Sequence, residues 1–531
     1  MKHFLSFVLL VTVVASSFAQ TNLSLRALVQ FNDEANDIWG YVDTLGNEYA
    51  LVGLRNSTEI VDITDPDNPI KLHSVVGPQS TWRSLRTWSH YAYITNETSN
   101  GLLIIDLAYL PDSIVTKEVN FNAELATAHT IFIDEVGFAY LFGFNDSIRS
   151  IPTDKRGAYI VDLRNDPWNP TYAGRYEGAY VHDGYARGDT LWAAQIYAGN
   201  FAVVDVSVKG SLTLLANQET PSRFTHNSWL TDDGNYLVNS DEVSGGYLSF
   251  YDVSDLDNIS ETDRYQPYPG SGVIPHNAYF VGDFVVASYY KVGVVIVDAT
   301  KKNNVIEIGQ YDTSPFIASD GFNGCWGVYP YFPSGTIVAS DIEEGLFVLT
   351  PNYQKACYLE GKVTNTTNNT DLNSVKVDVL GTDNFSISNY SGDYYTGTGQ
   401  PGVYDVRFTR AGCSTQIFTN ISLTSGQTTV LNAGLECTNL TGITDATNQE
   451  PYLIAKPSVF NTQTSISFFT GESGISQSNI AIYDMAGHLV NQWEIETPLG
   501  EIVVGDNLPA GMYLVNLNNA NFAHRIKILK N

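Results

Sequence analysis

The chain has little of what common catalytic motifs are built from. Among 531 residues there are four cysteines and no CxxC pair, which argues against a zinc–thiolate site. No G-x-S-x-G elbow, Gly-rich phosphate loop or HExxH stretch occurs, so the usual hydrolase, nucleotide and metalloprotease readings find no support. Basic residues are scarce, 28 against 57 acidic, for a formal net charge of −29. A phosphate backbone would be repelled, and we expect no nucleic acid partner. Beyond the first residues no run is long and apolar enough to span a bilayer, so no transmembrane segment is expected in the mature chain.

What is plentiful favours β-structure. Aromatics make up 12% of the chain, with 43 Gly and 20 Pro, a mixture of ring side chains and turn-formers. The length calls for two or more domains. At the start, Lys2 and His3 precede "FLSFVLLVTVVASSFA", and the small residues Ser17 and Ala19 sit before Gln20. This pattern predicts a signal peptide over 1–19 and a chain that works outside the cytoplasm. The cysteines suit an oxidising compartment. Cys357, Cys413 and Cys437 cluster, which favours a bridge between two of them, but the pairing stays open.

One phrase recurs seven times. "STEIVD" ends at Asp62, "GLLIID" at Asp106, "GAYIVD" at Asp162, "NFAVVD" at Asp205, "GYLSFYD" at Asp252 and "GVVIVD" at Asp298; "GLFVLT" puts Thr350 in the seventh place. Hairpin sequences such as "YARGDTLWAAQ" and "FVGDFVVASYY" precede the phrase, and a Pro-bearing turn and another strand often follow it. Four short strands per unit is the content of a propeller blade. The seventh unit lacks a fourth strand, while "LSLRALVQF" at 23–31 has no unit of its own. Pairing the two closes the ring and removes an edge. The expectation is an all-β chain with a seven-bladed β-propeller over 20–353, followed by two small β-sandwich domains. The repeated Asp reads as a turn cap, because a carboxylate ending a strand can accept the turn's N–H groups.

Counting back about ten residues from each hairpin's second strand gives Trp39, Trp82, His129, His182, His226, His276 and Trp326. These seven are expected to ring one mouth of the central channel, with Asp183, Asn227 and Asn277 following three of the histidines. The ring N–H groups of the seven His and Trp side chains could tie neighbouring blades together, and Asp183, Asn227 and Asn277 could serve the same purpose. Alternatively His129, His182, His226 and His276 could hold a transition metal, since neutral imidazole is the commonest metal-ligating side chain. Loops after the second strands gather on the same face, bringing Asp241, Glu242, Asp341, Glu343 and Glu344 toward the mouth, with Arg83 and Tyr290 nearby. The longest of them, carrying Lys155 and Arg156, could form a lid.

Three resemblances add to this. "AHTIFIDEVGFAYLFG", "THNSWLTDDGNYLVNSDE" and "CWGVYPYFPSGTIVASDIEEGLFVL" resemble the choice-of-anchor B family of LVIVD repeats, over about 24–353. That likeness implies a propeller outside the cell and no particular activity. Residues 356–437, beginning "YLEGKVTNTTNNTDL" from Tyr358, resemble a carboxypeptidase regulatory-like β-sandwich acting as a spacer. After a polar linker at 438–450, residues 451–531 with "IAIYDMAGHLVNQWEI" and "LPAGMYLVNL" resemble the type IX secretion C-terminal sorting domain of Bacteroidota. The usual Asn-Pro near its first strand is replaced by "KPSVF". The resemblance implies handling by the type IX secretion machinery and a product that is secreted or attached to the outer cell surface. The leading functional expectation is binding of an extracellular protein, glycan or other surface ligand at the His/Trp mouth. The alternative is a metal-dependent extracellular enzyme using the four histidines, with a loop acid as general base.

Overall fold

A computed structural model describes residues 21–437 and most of residues 452–530; the expected leader at 1–19 and linker at 438–450 lie outside the described residues. Residues up to Cys437 form one compact unit, and those from Thr438 onward form a second. No helix among the described residues is long and apolar enough to cross a membrane.

Residues 23–351 build seven four-stranded antiparallel sheets. Their innermost strands are Ala35–Val42, Leu85–Trp88, Thr130–Ile133, Asp183–Arg187, Thr225–Leu230, Pro275–Val281 and Cys325–Tyr329, which begin blades 1 to 7. Each of these strands packs against the next, and the last packs against the first, so the circle is closed and the unit is a β-propeller. Six sheets run outward in chain order. In the seventh the outer strand is Leu23–Val29, paired antiparallel with Gly345–Pro351. The leftover N-terminal strand therefore closes the ring, and neither end of the propeller exposes a free ladder.

Burial follows strand position. The third strands are buried on both faces, as Val294, Val295, Ile296 and Val297 are in blade 6, and read as continuous apolar runs. The outer strands alternate toward solvent, as in Thr213–Glu219. Large rings, among them Tyr93, Tyr140, Tyr159, Tyr251 and Tyr289, are fully buried in this part of the chain. Each repeated Asp caps its turn. The Oδ1 atoms of Asp62, Asp106, Asp162, Asp205, Asp252 and Asp298 all accept the backbone N–H two residues on, at 2.8–3.0 Å. Asp298 makes a second bond, accepting the Ala356 N–H at 2.7 Å where the chain leaves the propeller.

Residues 357–435 form two four-stranded sheets around Leu359, Val363, Val377, Tyr394, Val406 and Phe408. This module is fixed to blade 6 by the Lys301–Glu360 ion pair at 2.6 Å and by the Asn304 amide donating to the Thr396 carbonyl at 3.1 Å. Cys413 and Cys437 are disulfide-bonded, while Cys325 and Cys357 are buried thiols. In the second unit, a three-stranded and a five-stranded sheet enclose Ile466, Ile480, Ile482, Val515, Leu517 and Ile528.

Candidate functional site

The inner strands stack three layers of side chains along the channel. Hydroxyls of one blade fix the outermost layer by binding the next blade's backbone. Ser240 donates to the His276 carbonyl, Ser288 to Trp326, Ser340 to Asn36 and Thr95 to His129. Strand register then places Arg83, His182 and His226 at the same level. The mouth layer is therefore Asn36, Arg83, His129, His182, His226, His276 and Trp326.

Two of the expected ring residues fall elsewhere. In blade 1 the pairing runs on to Val42 opposite Glu48, so a count back from the turn stops three residues short of the mouth, at Trp39. Trp39 lies deeper, its ring 4.8 Å from that of Tyr329 and under the Arg86 guanidinium at 3.8 Å. In blade 2 the mouth residue is Arg83, the same distance before the second strand as His182 and His276 are in blades 4 and 6. Following the Trp residue type carries the count one residue too far, to Trp82. Trp82 stands on the rim, 42% exposed, with its ring 6.0 Å from that of His129.

The second layer is polar and ties blades together. Ser84 donates to Asp37 at 2.8 Å, Asn227 donates to Asp183 at 3.0 Å, and the Ala278 N–H donates to Asn227 at 3.1 Å. The blade-linking role expected for Asp183 and Asn227 is thus met by side-chain bonds. The Asn277 amide also reaches across to Asp183, at 3.5 Å, while its backbone N–H donates to Ser288 within its own blade. Burial raises the Asp183 carboxyl above its ordinary range, against the pull of Arg86 and Asn227. The third layer, Trp39, Arg86, Phe132, Tyr185, Trp229, Tyr279 and Tyr329, fills the channel with rings, and Tyr331 packs on Trp229, Tyr279 and Tyr329. Between the first two layers remains a chamber of about 20 Å³, room for roughly one water.

Above the mouth layer opens a funnel of about 620 Å³. Its base carries His129, His182, Glu242 and Trp326, and its walls include Trp82, Tyr180, Tyr197, Phe224 and Phe322. Glu34, Glu97 and Glu343 also face it, and the single cation on its lining, Arg55, lies 3.4 Å from Glu34. Arg83, expected as a ligand contact, is buried and donates to the carbonyls of Leu54 and Pro78.

The histidines are packed in series. The Nε2 atoms of His129 and His182 are 3.0 Å apart, and ring centroids are 4.6 Å apart for His182–His226 and 4.2 Å for His226–His276. Burial, reinforced by neighbouring imidazoles, holds His182 and His226 well below their ordinary values. Burial likewise takes His276 to about 3, although the Trp326 backbone favours its charged form a little. His129 ties blades through its ring, with Nδ1 2.7 Å from the Glu97 carboxylate of blade 2 and Nε2 3.0 Å from Nε2 of His182 in blade 4. By contrast, Nδ1 of His226 and of His276 is buried without a hydrogen-bond partner. Glu242 is pushed up to about 7 by burial, against the Tyr290 hydroxyl that donates to it at 2.6 Å.

Asp241 and Asp341 do not belong to the funnel. Each ends a second strand and points into the blade. Asp241 accepts from the Thr220 hydroxyl and the Ser222 N–H, and Asp341 accepts from Thr313 and the N–H groups of Glu343 and Glu344. Alternation along the strand sends the following residue, Glu242, the other way. The long blade 3 loop is tied down by Asp146–Arg149 and by Lys155 donating to Gly178, and neither Lys155 nor Arg156 lines the funnel. Glu97 was missed from the sequence, yet it follows Thr95 by two residues just as Glu242 follows Ser240.

Residues 457–531 match the family of secretion system C-terminal sorting domains. That match marks the chain as cargo of the type IX secretion machinery, destined for the exterior or the cell surface. No curated protein matches the chain. Among solved structures, the chain is similar to the β-propeller domain of Cps50 (Swd1) from Myceliophteria thermophila, with 13% identity and a TM-score of 0.42, over 62% of this chain and all of that one. The propeller assignment here stands on the sheet order and ring closure described above.

Proposed function

We propose that this is a secreted or cell-surface binding protein whose propeller takes a compact neutral or cationic ligand in the axial funnel, a glycan terminus being the neutral form its walls suit. The repeats quoted above support placing the propeller in the choice-of-anchor B group and the 356–437 module among carboxypeptidase regulatory-like spacers. The observation that carries the functional reading is a funnel of about 620 Å³, a size that suits small-molecule sites, closed at its base and walled by aromatic rings. Rings offer flat faces to sugar C–H groups and to cations. Glu34, Glu97, Glu242 and Glu343 supply acceptors and repel anions.

The test is a glycan array with a parallel panel of small amines, applied to the mature full chain. Replacing two exposed rim rings, Trp82→Ala with Tyr197→Ala, is expected to weaken any bound compound by at least about tenfold, because aromatic anchors dominate binding energy. Thermal stability should not change. Retained binding in the double variant would place the ligand elsewhere and overturn the proposal.

A further inference from the structure

We propose that the base of the funnel binds one divalent first-row transition ion through His129, His182, His226 and Glu242. This shares the funnel read above as a binding site, but it concerns a different ligand and stands on different residues from the aromatic rim.

Three of the four donors already converge, and His129 joins them through its contact with His182. The ligating atoms of His182, His226 and Glu242 all lie within 4.8 Å of one another. Bonds of about 2.0–2.1 Å in a tetrahedral site put donors about 3.3 Å apart. The His129–His182 Nε2 pair, at 3.0 Å, and the His226 Nε2–Glu242 Oε2 pair, at 3.7 Å, are close to that spacing. Adjacent blades 3, 4 and 5 supply the three imidazoles, so the ion does not have to bridge the width of the channel.

The groups behind these donors are a second, independent observation. The Glu97 carboxylate lies 2.7 Å from Nδ1 of His129. It accepts that N–H, which leaves the Nε2 lone pair facing inward, the carboxylate–histidine arrangement that orients metal ligands. On the opposite side, the Tyr290 hydroxyl donates to Oε1 of Glu242, so Oε2, the oxygen nearer His226, stays free. His129 and Glu242 are thus each held by a partner that leaves one donor atom free, Nε2 beside His182 and Oε2 beside His226. His276 Nε2, 3.9 Å from Glu242 Oε1, is within reach as a further donor. Three imidazoles and one carboxylate suit zinc and its transition-metal neighbours rather than magnesium or calcium, which take all-oxygen shells.

The mature full chain, stripped with chelator and dialysed, should be titrated with Zn²⁺ by calorimetry, with bound metal counted by elemental analysis. One equivalent is expected. His182→Ala with His226→Ala should weaken binding at least a hundredfold. Glu97→Gln removes no ligand and keeps the side-chain shape, and it should cost ten- to a hundredfold. If the double variant does not fold, the Glu97→Gln result still decides. Trp82→Ala with Tyr197→Ala should leave zinc affinity unchanged. Less than about a tenth of an equivalent at saturating zinc, or equal affinity in the wild type and the Glu97→Gln variant, would overturn the ion site and leave His129–His182 as an N–H···N pair. That outcome would not touch the rim-dependent ligand, and failure of the rim test would not touch the ion.

Discussion

Arg86→Ala should be the most damaging single substitution in the channel, lowering stability by about 3–5 kcal/mol. The guanidinium is buried in the ring-filled third layer, and Nη1 donates to the Leu85 carbonyl at 2.7 Å. It stacks 3.8 Å over Trp39, and it lies 3.5 Å from Asp37 with Asp183 also within its field. Truncation would strand two buried carboxylates with no countercharge and open a void beside Trp39. The void and the charge can be separated. Arg86→Met keeps most of the volume and removes only the cation, so it should still cost about 2 kcal/mol or more. Adding Asp37→Asn to Arg86→Met should recover part of that loss, because the two positions are in direct contact and their effects do not add. Urea unfolding followed by tryptophan fluorescence reads all three proteins. A shift for Arg86→Ala worth less than about 1 kcal/mol would mean that the cation does not hold the layers together.

The sequence made the blades legible because their strongest constraints are local. An Asp ending a strand before a turn is recognisable wherever it occurs, and all six copies cap as their position implies. The unpaired strand at 23–31 and the incomplete seventh unit likewise implied each other, and Leu23–Val29 does pair with Gly345–Pro351. Depth in the channel was harder to read. Trp39 and Trp82 share a residue type with Trp326, but the long inner strand of blade 1 sinks Trp39, and in blade 2 the neighbouring Arg83 takes the mouth position, so residue type misleads. Strand length is invisible to a count anchored on the turn. The bulges at His226 and at His276–Asn277 add a further offset where the inner strands begin. Side-chain direction explains the acids. Asp241 and Glu242 are neighbours in sequence, yet one braces a loop and the other faces the histidines, and only the strand's alternation tells them apart.

Glu307→Gln should make the protein more stable than the wild type at pH 8 by about 2 kcal/mol and leave it little changed near pH 4.5. Glu307 lies on the outer strand of blade 6, where its backbone carbonyl meets Gly399 of the following module and its carboxyl meets Tyr265 of blade 5. Burial pushes its carboxyl from 4.5 up to about 7, partly offset by the Tyr265 hydroxyl that donates to it, while Asp383 adds to the rise. A carboxyl whose folded value is raised contributes stability that is fully present below its unfolded value of 4.5 and is lost as pH rises through about 7. The full linkage would be about 3 kcal/mol, and some remaining contact with solvent reduces it to about 2. The amide is never ionised and escapes this loss. Asp263 and Asp341, each raised to about 6 by burial, give the wild type the same slope, so the variant should flatten the profile without levelling it. The depressed histidines give the opposite slope in both proteins, and the difference between the two profiles cancels it. Thermal melts of both proteins from pH 4.5 to 8 provide the measurement. A constant gap across that range would show that Glu307 is ionised in the folded protein throughout, and that its surroundings do not shield it.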